Sequence, residues 1–581
     1  MPSALPRPLF SLALALLAAA AVPISIIAFN WGGEDCYITY RYARNLAEGH
    51  GIVFNTTDET ADDRVEGYSN PTLILLLALI HRLGGDIPSA SRWIATIAAA
   101  MTVWLLGRFG SAWSDERRPC AGDLIAPALY ALHPLVHYQA GRALETTLYA
   151  MLITLAALWW VRGWTVATSV VLALVAASRP EGFTFIAPFL AVWAALMIFP
   201  VLRASDLEPT PLSSGVGLGG LVKLVLPWAL LVAGLFLWRR SYYGQWMPNA
   251  VHLKAGPSNP SALPEVRDFI IAWSFLPLLI PFAYSGLTSA PPRLRRGLII
   301  VALLMLHQLA FILAVGRVPA EPNRHFIPIV PFACLCIART AVIASRAFPG
   351  RLIRAFGLAA LLGLNLFTVN NGDGSRTRLH VRLKEFLRNY GGGWNSPVAQ
   401  WRFHWEWFHH PEIRIDSEAG RWVDAHLPPG ALIAADQMGQ FAYHCRQPML
   451  DMFGLMDEHI ARAGLDVGYI LAHSPDFVVF MYQLYPPVGY TPYQQPLRDD
   501  ARFQASYRPR WRLRQNLPTP YAPYEFHVWV RHDLDDGAPF EWVVLPGTVE
   551  AADHWWRARD FPVNWLQKAD TAIQSSKATR R

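Results

Sequence analysis

The chain has 581 residues, of which 53% are hydrophobic and only 16% are charged, whereas an average soluble domain carries about 25% charged residues. This composition excludes a disordered chain, a collagen and a purely cytosolic enzyme. The net charge of +7 is not concentrated in one basic run, so nucleic-acid binding is not expected. The five cysteines have the spacing of neither a zinc site nor a disulfide framework.

The chain begins with an uncharged apolar stretch, residues 9–29, that follows Arg7. As a helix, its 21 residues span about 30 Å of hydrocarbon, which predicts a first transmembrane helix. A cleavable signal peptide is the alternative, because the alanines at 18–21 offer small residues for cleavage. The apolar core exceeds the ~7–15 residues typical of signal peptides, which favours the membrane helix.

Ten further apolar stretches follow, so the sequence predicts eleven membrane spans in total. A shorter apolar run, Pro71–Leu83, is predicted to be a helix lying at the membrane interface. The ten stretches lie at about 88–107, 121–138, 143–161, 164–178, 182–200, 219–238, 268–286, 297–315, 326–345 and 352–368.

The placement of arginines sets the predicted orientation. With the N-terminus inside, the arginine-rich turns at 117–118, 293–296 and 346–354 face the cytoplasm, as the positive-inside rule requires. An odd number of spans then places the loop 30–87 and the tail outside the cytoplasmic membrane. Counting Pro71–Leu83 as a span would instead place the tail inside.

The acidic residues divide the chain into two parts. Residues 1–369 hold 19 of the 43 acids, and the last 212 residues hold the other 24 together with 11 of the 18 histidines. We therefore expect a transmembrane domain at 1–368, which includes the loop 30–87, and a soluble domain at 369–581. The tail is predicted to be α/β, with a helix at Asp416–His426 and strands at Ala431–Ala435, Pro448–Met452, Asp476–Phe480 and Tyr524–Val530.

The first outer loop carries the most informative acids, Glu34 and Asp35, which emerge directly from the first apolar stretch. A carboxylate at the membrane surface can take a proton from an acceptor hydroxyl while the lipid part of a donor stays in the bilayer. The alternative is a pair of negative charges that stabilises the N-terminus of the next helix through its dipole.

The segment after the acid pair, 37–47, is predicted to be an amphipathic helix on the membrane surface. Its side chains Tyr37, Tyr40, Arg41 and Arg44 would rest on lipid headgroups. Arg41 thereby becomes a candidate substrate ligand, since a guanidinium group suits a lipid phosphate.

Further ionisable groups lie at the predicted outer ends of membrane helices, in several separate loops. The local alternative for each of them is ordinary snorkelling and interfacial pairing. Together they predict an outward-facing polar chamber that opens into the bilayer, where arginine and lysine suit a lipid phosphate. The residues are Arg142, Glu145, Arg179, Glu181, Arg239, Arg240, Lys254, Glu321, Arg324 and His325.

The order of these motifs resembles the GT-C membrane glycosyltransferases, and most closely the terminal arabinofuranosyltransferases of actinobacterial cell-wall arabinan. The resemblance covers about residues 30–330. It is carried by Glu34-Asp35, Arg44–Asn55 with Arg64-Val65-Glu66, Ala143-Leu144-Glu145 in place of Gly-Leu-Glu, Arg179-Pro180-Glu181, Tyr242-Tyr243-Gly244…Lys254, and Arg324.

The chain departs from that pattern in three further places. Glu34 replaces the first of two aspartates, and Thr57–Asp63 lengthens the first loop. The family's late Gly-Gly-Asp is missing before Arg324, where Glu321 is the candidate replacement for the aspartate.

The resemblance implies a polytopic α-helical membrane protein of the GT-C fold with a C-terminal extracytoplasmic α/β domain. It implies transfer of one sugar, with arabinofuranose as the candidate, from a polyprenyl-phosphate donor to a cell-envelope glycan or lipid acceptor. Asp35 would be the catalytic base and Glu34 would assist it. The departing phosphate would be held by Arg179, Lys254 and Arg324.

The remaining candidate residues would bind the sugar or complete the substrate site. Glu145, Glu181 and His325 would shape the sugar pocket, and the wider substrate-binding set includes Arg41, Glu66, Tyr243 and Glu321. No cofactor is expected, and a divalent metal is not favoured because basic residues can neutralise the phosphate.

Two other functions fit parts of the sequence. A transporter for a lipid-linked sugar usually has gates on both faces and inverted repeats, but here the charged motifs crowd one predicted face and no repeat is visible. A glycan-binding membrane scaffold would not need the acid pair at the membrane surface.

Overall fold

The protein divides into two compact units. The first comprises Met1–Gly33, Ser69–Ser241 and Lys254–His409, and the second comprises Glu34–Tyr68, Tyr242–Leu253 and His410–Arg581. Residues 34–68 of the first outer loop therefore group with the C-terminal residues. The predicted division at 368/369 lies outside the described residues and stays a prediction. The computed structural model describes residues 5–27, 34–58, 63–113, 119–198, 217–254, 261–272, 275–287, 292–316, 324–347, 415–484, 489–491, 493–515 and 524–546.

The regular elements of these residues are mostly helices, with strands confined to the C-terminal part. The α-helices are α1 Arg7–Ile27, α2 Cys36–Glu48, α3 Pro71–Arg82, α4 Ile87–Trp113, α5 Ile125–Ala131, α6 Pro134–Gly141, α7 Thr146–Val161, α8 Thr165–Ala176, α9 Ile186–Ile198, α10 Leu218–Tyr243, α11 Asn249–Lys254, α12 Leu263–Ala272, α13 Phe275–Leu287, α14 Pro292–Val315, α15 Val330–Ala347, α16 Ile415–His426, α17 Gln440–His444, α18 Glu458–Ala463, α19 Val467–Ala472, α20 Gln495–Arg498 and α21 Ala501–Ser506. The strands are β1 Ile433–Ala435, β2 Met449–Asp451, β3 Phe477–Gln483, β4 Gly489–Tyr490, β5 Tyr507–Gln515, β6 Tyr524–Arg531 and β7 Glu541–Leu545.

Six helical segments of the described residues are long and apolar enough to cross a membrane, and each coincides with a predicted span. The shorter apolar helices α7 and α8 coincide with two more, so the prediction of a polytopic helical membrane protein is confirmed. The predicted span 268–286 falls on α12 and α13, and the one at 352–368 lies outside the described residues. The six segments are Arg7–Ile26, Ile87–Ala112, Pro180–Ile198, Leu218–Tyr243, Leu294–Val315 and Arg324–Ile343.

One predicted span, 121–138, is not a continuous helix. Helix α5 ends at Ala131 and α6 begins at Pro134, because proline lacks an N–H and disfavours a helical conformation in the residue before it. The buried His137 compensates for the break. Its Nε2 donates to the Ala131 carbonyl at 2.7 Å, and its Nδ1 accepts from Ser25 Oγ at 2.8 Å. An apolar environment requires such partners for polar groups.

Aromatic side chains pack together within the apolar core of the first unit. The ring of Trp160, on α7, lies 5.6 Å from that of Phe189 and 5.7 Å from that of Trp193, both on α9. All three side chains are buried. This packing fixes α7 against α9, and the segments that immediately precede these two helices carry the motif residues Glu145 and Glu181.

The second unit is built on one mixed sheet with strand order β2-β1-β3-β6-β5-β7, and β4 pairs with β3. Strand β1 is parallel to β2 and β3, β6 is antiparallel to β3 and β5, and β7 is parallel to β5. The predicted helix and the four predicted strands of the tail fall on α16, β1, β2, β3 and β6. The α/β prediction for the C-terminal domain is therefore confirmed.

Strand β5 had no counterpart among the predicted strands, because its sequence is rich in arginine and contains Pro509. The proline falls at a register shift in the pairing with β6, one of the places where a strand tolerates proline. The charges are neutralised by neighbours: Arg508 pairs with Asp535, and Arg512 pairs with Glu525.

Helix α2 is buried by protein, so the prediction of a helix resting on lipid headgroups is corrected. Every residue from 36 to 45 is buried. The rings of Tyr37 and Tyr40 lie 5.4 Å and 6.1 Å from that of Tyr443, and Arg44 donates to the Tyr443 carbonyl at 2.8 Å. An amphipathic pattern shows that one face is covered but not whether lipid or protein covers it.

Candidate active site

One carboxylate in the first unit is shared by three donors. Glu145 is 1% exposed. Its Oε1 accepts hydrogen bonds from Arg179 Nη1 at 2.8 Å and from Arg324 Nη2 at 2.5 Å. Its Oε2 accepts from Asn70 Nδ2 at 2.7 Å. Arg179 also donates from Nε to Glu181 Oε1 at 2.5 Å. Residues that the sequence placed in separate loops thus form one cluster, here called the Glu145 cluster.

His325 extends the Glu145 cluster. Its Nδ1 lies 3.3 Å from Arg179 Nη2, and its backbone carbonyl accepts from Gln308 Nε2 at 2.9 Å. The two arginines and the two glutamates balance in charge, which is the condition under which buried charges are tolerated. Arg179 pairs with both glutamates, and its predicted role in holding the phosphate stays a prediction.

The turn before Glu145 is strained. Ala143 has φ +56°, a left-handed conformation that costs an L-residue roughly 1–2 kcal/mol. Its carbonyl accepts from Ser91 Oγ at 2.6 Å, which helps to hold the turn. The related motif has glycine at this position, and glycine adopts positive φ without that cost.

The Arg179-Pro180-Glu181 motif forms a second tight turn. Arg179 is extended, and Pro180 begins the 3₁₀ segment Pro180–Phe185, as its fixed φ favours. Gly182 permits the close approach of the preceding helix, because a Cβ there would lie 2.1 Å from the Val175 carbonyl oxygen. The turn directs Arg179 and Glu181 into the same cluster.

Two of the predicted substrate-binding residues are not placed by the structure. Glu321 lies outside the described residues. Lys254 is the last residue of α11, and its side chain is not among those described. Their roles in phosphate and substrate binding stay predictions.

The acid pair belongs to the second unit. Glu34 Oε1 accepts a hydrogen bond of 2.6 Å from the backbone N–H of Gly439. Asp35 immediately precedes α2, and its side chain makes no capping hydrogen bond to that helix. No capping hydrogen bond from Asp35 therefore supports the alternative of a pair that stabilises the helix. The catalytic role of the acid pair stays a prediction.

Other acids of the same unit face Glu34. Burial, followed by the charges of Asp35, Asp416 and Asp436, raises the pKa of Glu34 well above its usual value. Tyr524 Oη donates to Asp416 Oδ2 at 2.5 Å. Asp436 is partly buried, and its removal from water raises its pKa to about 7. These surroundings favour the protonated form of Glu34. Among the described residues, no group of three or more His, Cys, Asp or Glu side chains is arranged to hold a metal.

Arg41 binds backbone carbonyls, and its predicted role in substrate binding stays a prediction. It is 2% exposed. Its guanidinium group donates to the carbonyls of Ala442, Cys445 (3.0 Å) and Gln447 (2.8 Å), and its Nε donates to the Phe54 carbonyl at 2.8 Å. Burial lowers the pKa of Arg41 to about 10. These hydrogen bonds give Arg41 a structural part in the second unit.

Tyr243 also bonds within the second unit, and its predicted role in substrate binding stays a prediction. Its Oη donates to the Ile52 carbonyl at 2.7 Å and lies 3.1 Å from Tyr68 Oη. Tyr242 Oη accepts from the Ile52 N–H at 3.0 Å. The Tyr-Tyr-Gly motif therefore anchors the glycine-rich part of the first loop. Glu66 is buried in the same unit, and its predicted contact with substrate stays a prediction.

Sequence reasoning missed several residues that the structure joins to the candidate groups. Asn70 had a visible signal, since it precedes the proline that begins α3. Asp436 directly follows the parallel strand β1, and the carboxyl ends of parallel strands are where α/β sheets gather functional groups. No local signal connects Gly439 with Glu34, which is 405 positions away.

Comparison with known proteins gives a family for part of the chain. Residues 402–531 match the family described as "Domain of unknown function (DUF8728)". The chain matches none of the curated proteins.

Several solved structures resemble the chain. The Archaeoglobus fulgidus oligosaccharyltransferase in its apo form is similar with a TM-score of 0.50 and 12% identity, over 81% of this chain and 69% of that chain. ArnT from Cupriavidus metallidurans bound to undecaprenyl phosphate has a TM-score of 0.47 and 14% identity, over 80% and 92% of the two chains. The arabinofuranosyltransferase AftD from mycobacteria has a TM-score of 0.47 and 15% identity, over 91% and 40%.

The likeness to the oligosaccharyltransferase shows the fold. The chain is a polytopic helical membrane protein of the GT-C fold with a C-terminal α/β domain, as the motifs implied. Because fold does not by itself establish activity, the reaction is argued from the site.

Proposed function

We propose that this protein is a membrane glycosyltransferase that moves one sugar from a polyprenyl-phosphate donor to a glycan or lipid acceptor outside the cytoplasmic membrane. The observation that carries the proposal is the Glu145 cluster. Four motif residues, Glu145, Arg179, Glu181 and Arg324, come from three separate segments and meet through hydrogen bonds of 2.5–2.8 Å. Buried charges of this kind are costly, and in a membrane protein they mark functional sites.

The acid pair provides the base of the proposed reaction. Asp35 takes the proton of an acceptor hydroxyl as the hydroxyl oxygen bonds to the anomeric carbon of the donor sugar. The bond between that carbon and the phosphate oxygen breaks, and polyprenyl phosphate leaves with the bonding electrons. Glu34, whose raised pKa favours the neutral form, orients the acceptor and adds no second charge beside Asp35.

Arg324 is the group that we assign to the leaving phosphate. Its side chain is 13% exposed and pairs with Glu145, whereas Arg179 is held between Glu145 and Glu181. A guanidinium group binds phosphate through two parallel hydrogen bonds. Glu145 and Arg179 then orient Arg324, and Lys254 and His325 keep their predicted places in the phosphate and sugar subsites.

The proposal assigns neutralisation of the phosphate to arginine rather than to a metal. Preorganised arginines can stabilise charge that develops on a phosphoryl group. We therefore expect transfer to continue after exhaustive dialysis against EDTA. An activity lost on chelation and restored only by a divalent cation would contradict this part of the proposal.

The direct test reconstitutes the full-length protein in lipid vesicles with a radiolabelled polyprenyl-phosphate sugar. Arabinofuranose is the first donor to try, because the sequence motifs imply it, and an arabinofuranosyl oligosaccharide is the matching acceptor. We expect label to move to the acceptor. Flipping of the labelled lipid without transfer would favour the transporter. If no sugar donor is either transferred or flipped, the glycosyltransferase and the transporter hypotheses are both overturned.

Two variants separate the assigned roles. Asp35→Asn cannot accept a proton and should slow transfer about 10²–10⁴-fold, while donor binding stays near the parental value. Arg324→Ala should weaken donor use by about 1.5–3 kcal/mol, the contribution of a hydrogen bond to a charged group. Arg421→Ala, in an exposed pair with Glu418, is the control and should leave both quantities unchanged.

The proposed topology places the C-terminal domain outside the cytoplasmic membrane. A periplasmic reporter enzyme fused after Arg581 should be active, and the matching cytoplasmic reporter should be silent. The reverse pattern would exclude an extracytoplasmic reaction by this domain.

A further inference from the structure

The contact between Glu34 and Gly439 joins the first outer loop to the region that matches a domain of unknown function. Gly439 lies within the matched residues 402–531, a short distance along the chain from β1. Its backbone N–H donates to Glu34 Oε1 at 2.6 Å. We infer that Gly439 is a positioning residue for the acid pair, so that the C-terminal domain completes the arrangement of the proposed catalytic carboxylates. This inference rests on the proposed function.

The lack of a side chain at residue 439 is part of the arrangement. A Cβ at that position would lie 2.1 Å from Glu34 Oε1 and 2.3 Å from the Glu34 carbonyl oxygen. Real Cβ atoms do not approach oxygen so closely, so any larger residue must displace Glu34. The space that Glu34 occupies therefore requires the glycine.

The neighbouring acids of the C-terminal domain are themselves held in place. Asp416 accepts from Tyr524 Oη at 2.5 Å, and Asp436 Oδ2 accepts from Gln494 Nε2 at 2.7 Å. Gln494 is buried, so it is held firmly.

These fixed acids have a consequence for the acid pair. A neutral Glu34 can accept the Gly439 N–H at one oxygen and still carry a proton on the other. The contact with the C-terminal domain thus fixes the position of Glu34, and Asp35 follows it directly in the chain.

The first test compares Gly439→Ala with Gly468→Ala in the full-length protein. Gly468 lies in α19, where a Cβ would meet Asp466 Oδ1 at an ordinary 3.4 Å, so the same substitution is expected to be harmless. Because a displacement of about 1 Å at a reacting group can cost about 100-fold in rate, we expect Gly439→Ala to lower kcat by that order and to keep the donor KM within about twofold. A parental kcat in Gly439→Ala would overturn the inference.

A second pair of variants keeps the inference testable if Gly439→Ala fails to fold. Glu34→Gln retains a side-chain oxygen for the Gly439 N–H, whereas Glu34→Ala removes it. We expect Glu34→Gln to transfer sugar within about tenfold of the parent and Glu34→Ala to be slower by about another tenfold, the rescue expected when position matters. Equal rates in the two variants would contradict a positioning role.

Hydrogen exchange tests the contact without relying on activity. The amide of Gly439 should exchange more slowly in the parent and in Glu34→Gln than in Glu34→Ala, as measured on peptides that span 437–441. Equal exchange in all three proteins would overturn the inference. If exchange differs as expected but the parent transfers no sugar from any donor, the contact stands and the proposed function fails.

Discussion

Arg324 donates from Nη2 to Oε1 of Glu145 at 2.5 Å, although the two residues are 179 positions apart in the sequence. The same oxygen accepts from Arg179, and the other oxygen accepts from Asn70. These three hydrogen bonds use three of the roughly four acceptor positions of this buried carboxylate. We therefore expect Glu145 to orient the arginines, whereas the sequence alone had suggested direct contact with the sugar.

Glu145→Gln should destabilise the protein strongly. The substitution keeps the size of the side chain but removes the charge that two buried guanidinium groups share, and the loss of one partner of a buried pair typically costs about 3–5 kcal/mol. Thermal unfolding in detergent measures the effect. Glu418→Gln is the control, because Glu418 forms an exposed pair with Arg421 that contributes at most about 1 kcal/mol. Equal melting temperatures for the two variants would show that the Glu145 cluster is not stabilising.

Arg41→Met should disrupt the second unit without any specific effect on the donor. Methionine fills a similar volume but leaves the carbonyls of Ala442, Cys445 and Gln447 without this donor, and each unsatisfied buried group costs about 1–3 kcal/mol. Arg44→Met removes a bond to one carbonyl, that of Tyr443, and should cost less. Chemical denaturation measures both variants. A stable Arg41→Met protein with a raised donor KM would instead support the prediction that Arg41 binds the substrate.

The stability of the protein should fall as pH rises from about 4 to 7, in part because of Asp436. Burial raises the pKa of this carboxyl from 3.8 to about 7, so within that window the folded state keeps a proton that the unfolded state releases. Asp436→Asn removes this titration and still offers an oxygen to Gln494. We expect Asp436→Asn to be more stable than the parent at pH 8. The rise of about three pKa units limits this gain in unfolding free energy to about 4 kcal/mol, and the gain should vanish near pH 4.

A series of thermal unfolding curves between pH 4 and 8 measures the effect of Asp436→Asn. Asp499→Asn, at an exposed position, is the control for the substitution itself. If Asp436→Asn and the parent lose stability in parallel across the window, Asp436 does not titrate as its burial implies.

Ala143→Gly should be tolerated far better than Ala140→Gly. Both alanines are buried, so each substitution removes one methyl group. Ala140 lies in helix α6, where glycine costs roughly 1 kcal/mol more than alanine. Ala143 has φ +56°, where glycine relieves a strain of roughly 1–2 kcal/mol. Thermal unfolding of the two variants should differ by about 2 kcal/mol, and equal melting temperatures would argue against strain at Ala143.

Much of the architecture could be predicted from the sequence. Long uncharged stretches identify membrane helices because no other local structure satisfies the backbone in lipid, and the tail strands β1, β2, β3 and β6 followed from short apolar runs. The motif residues Glu145, Arg179 and Arg324 could be identified as candidates, because ionisable groups from several loops were predicted at one membrane face and their order resembled a known motif pattern. Strand β5 was not predicted, because the acids that neutralise its arginines lie elsewhere in the sequence.

The sequence by itself determined which residues are unusual for their surroundings: acids at the end of the first span, arginines among apolar helices, and an alanine where glycine is expected. Only the tertiary structure decided what each of them touches. Arg41 and Arg324 are both arginines near the predicted outer face, but the first binds backbone carbonyls and the second pairs with Glu145. Partners far apart in sequence leave no local pattern, because hydrogen bonds and burial depend on distances that only the folded chain defines.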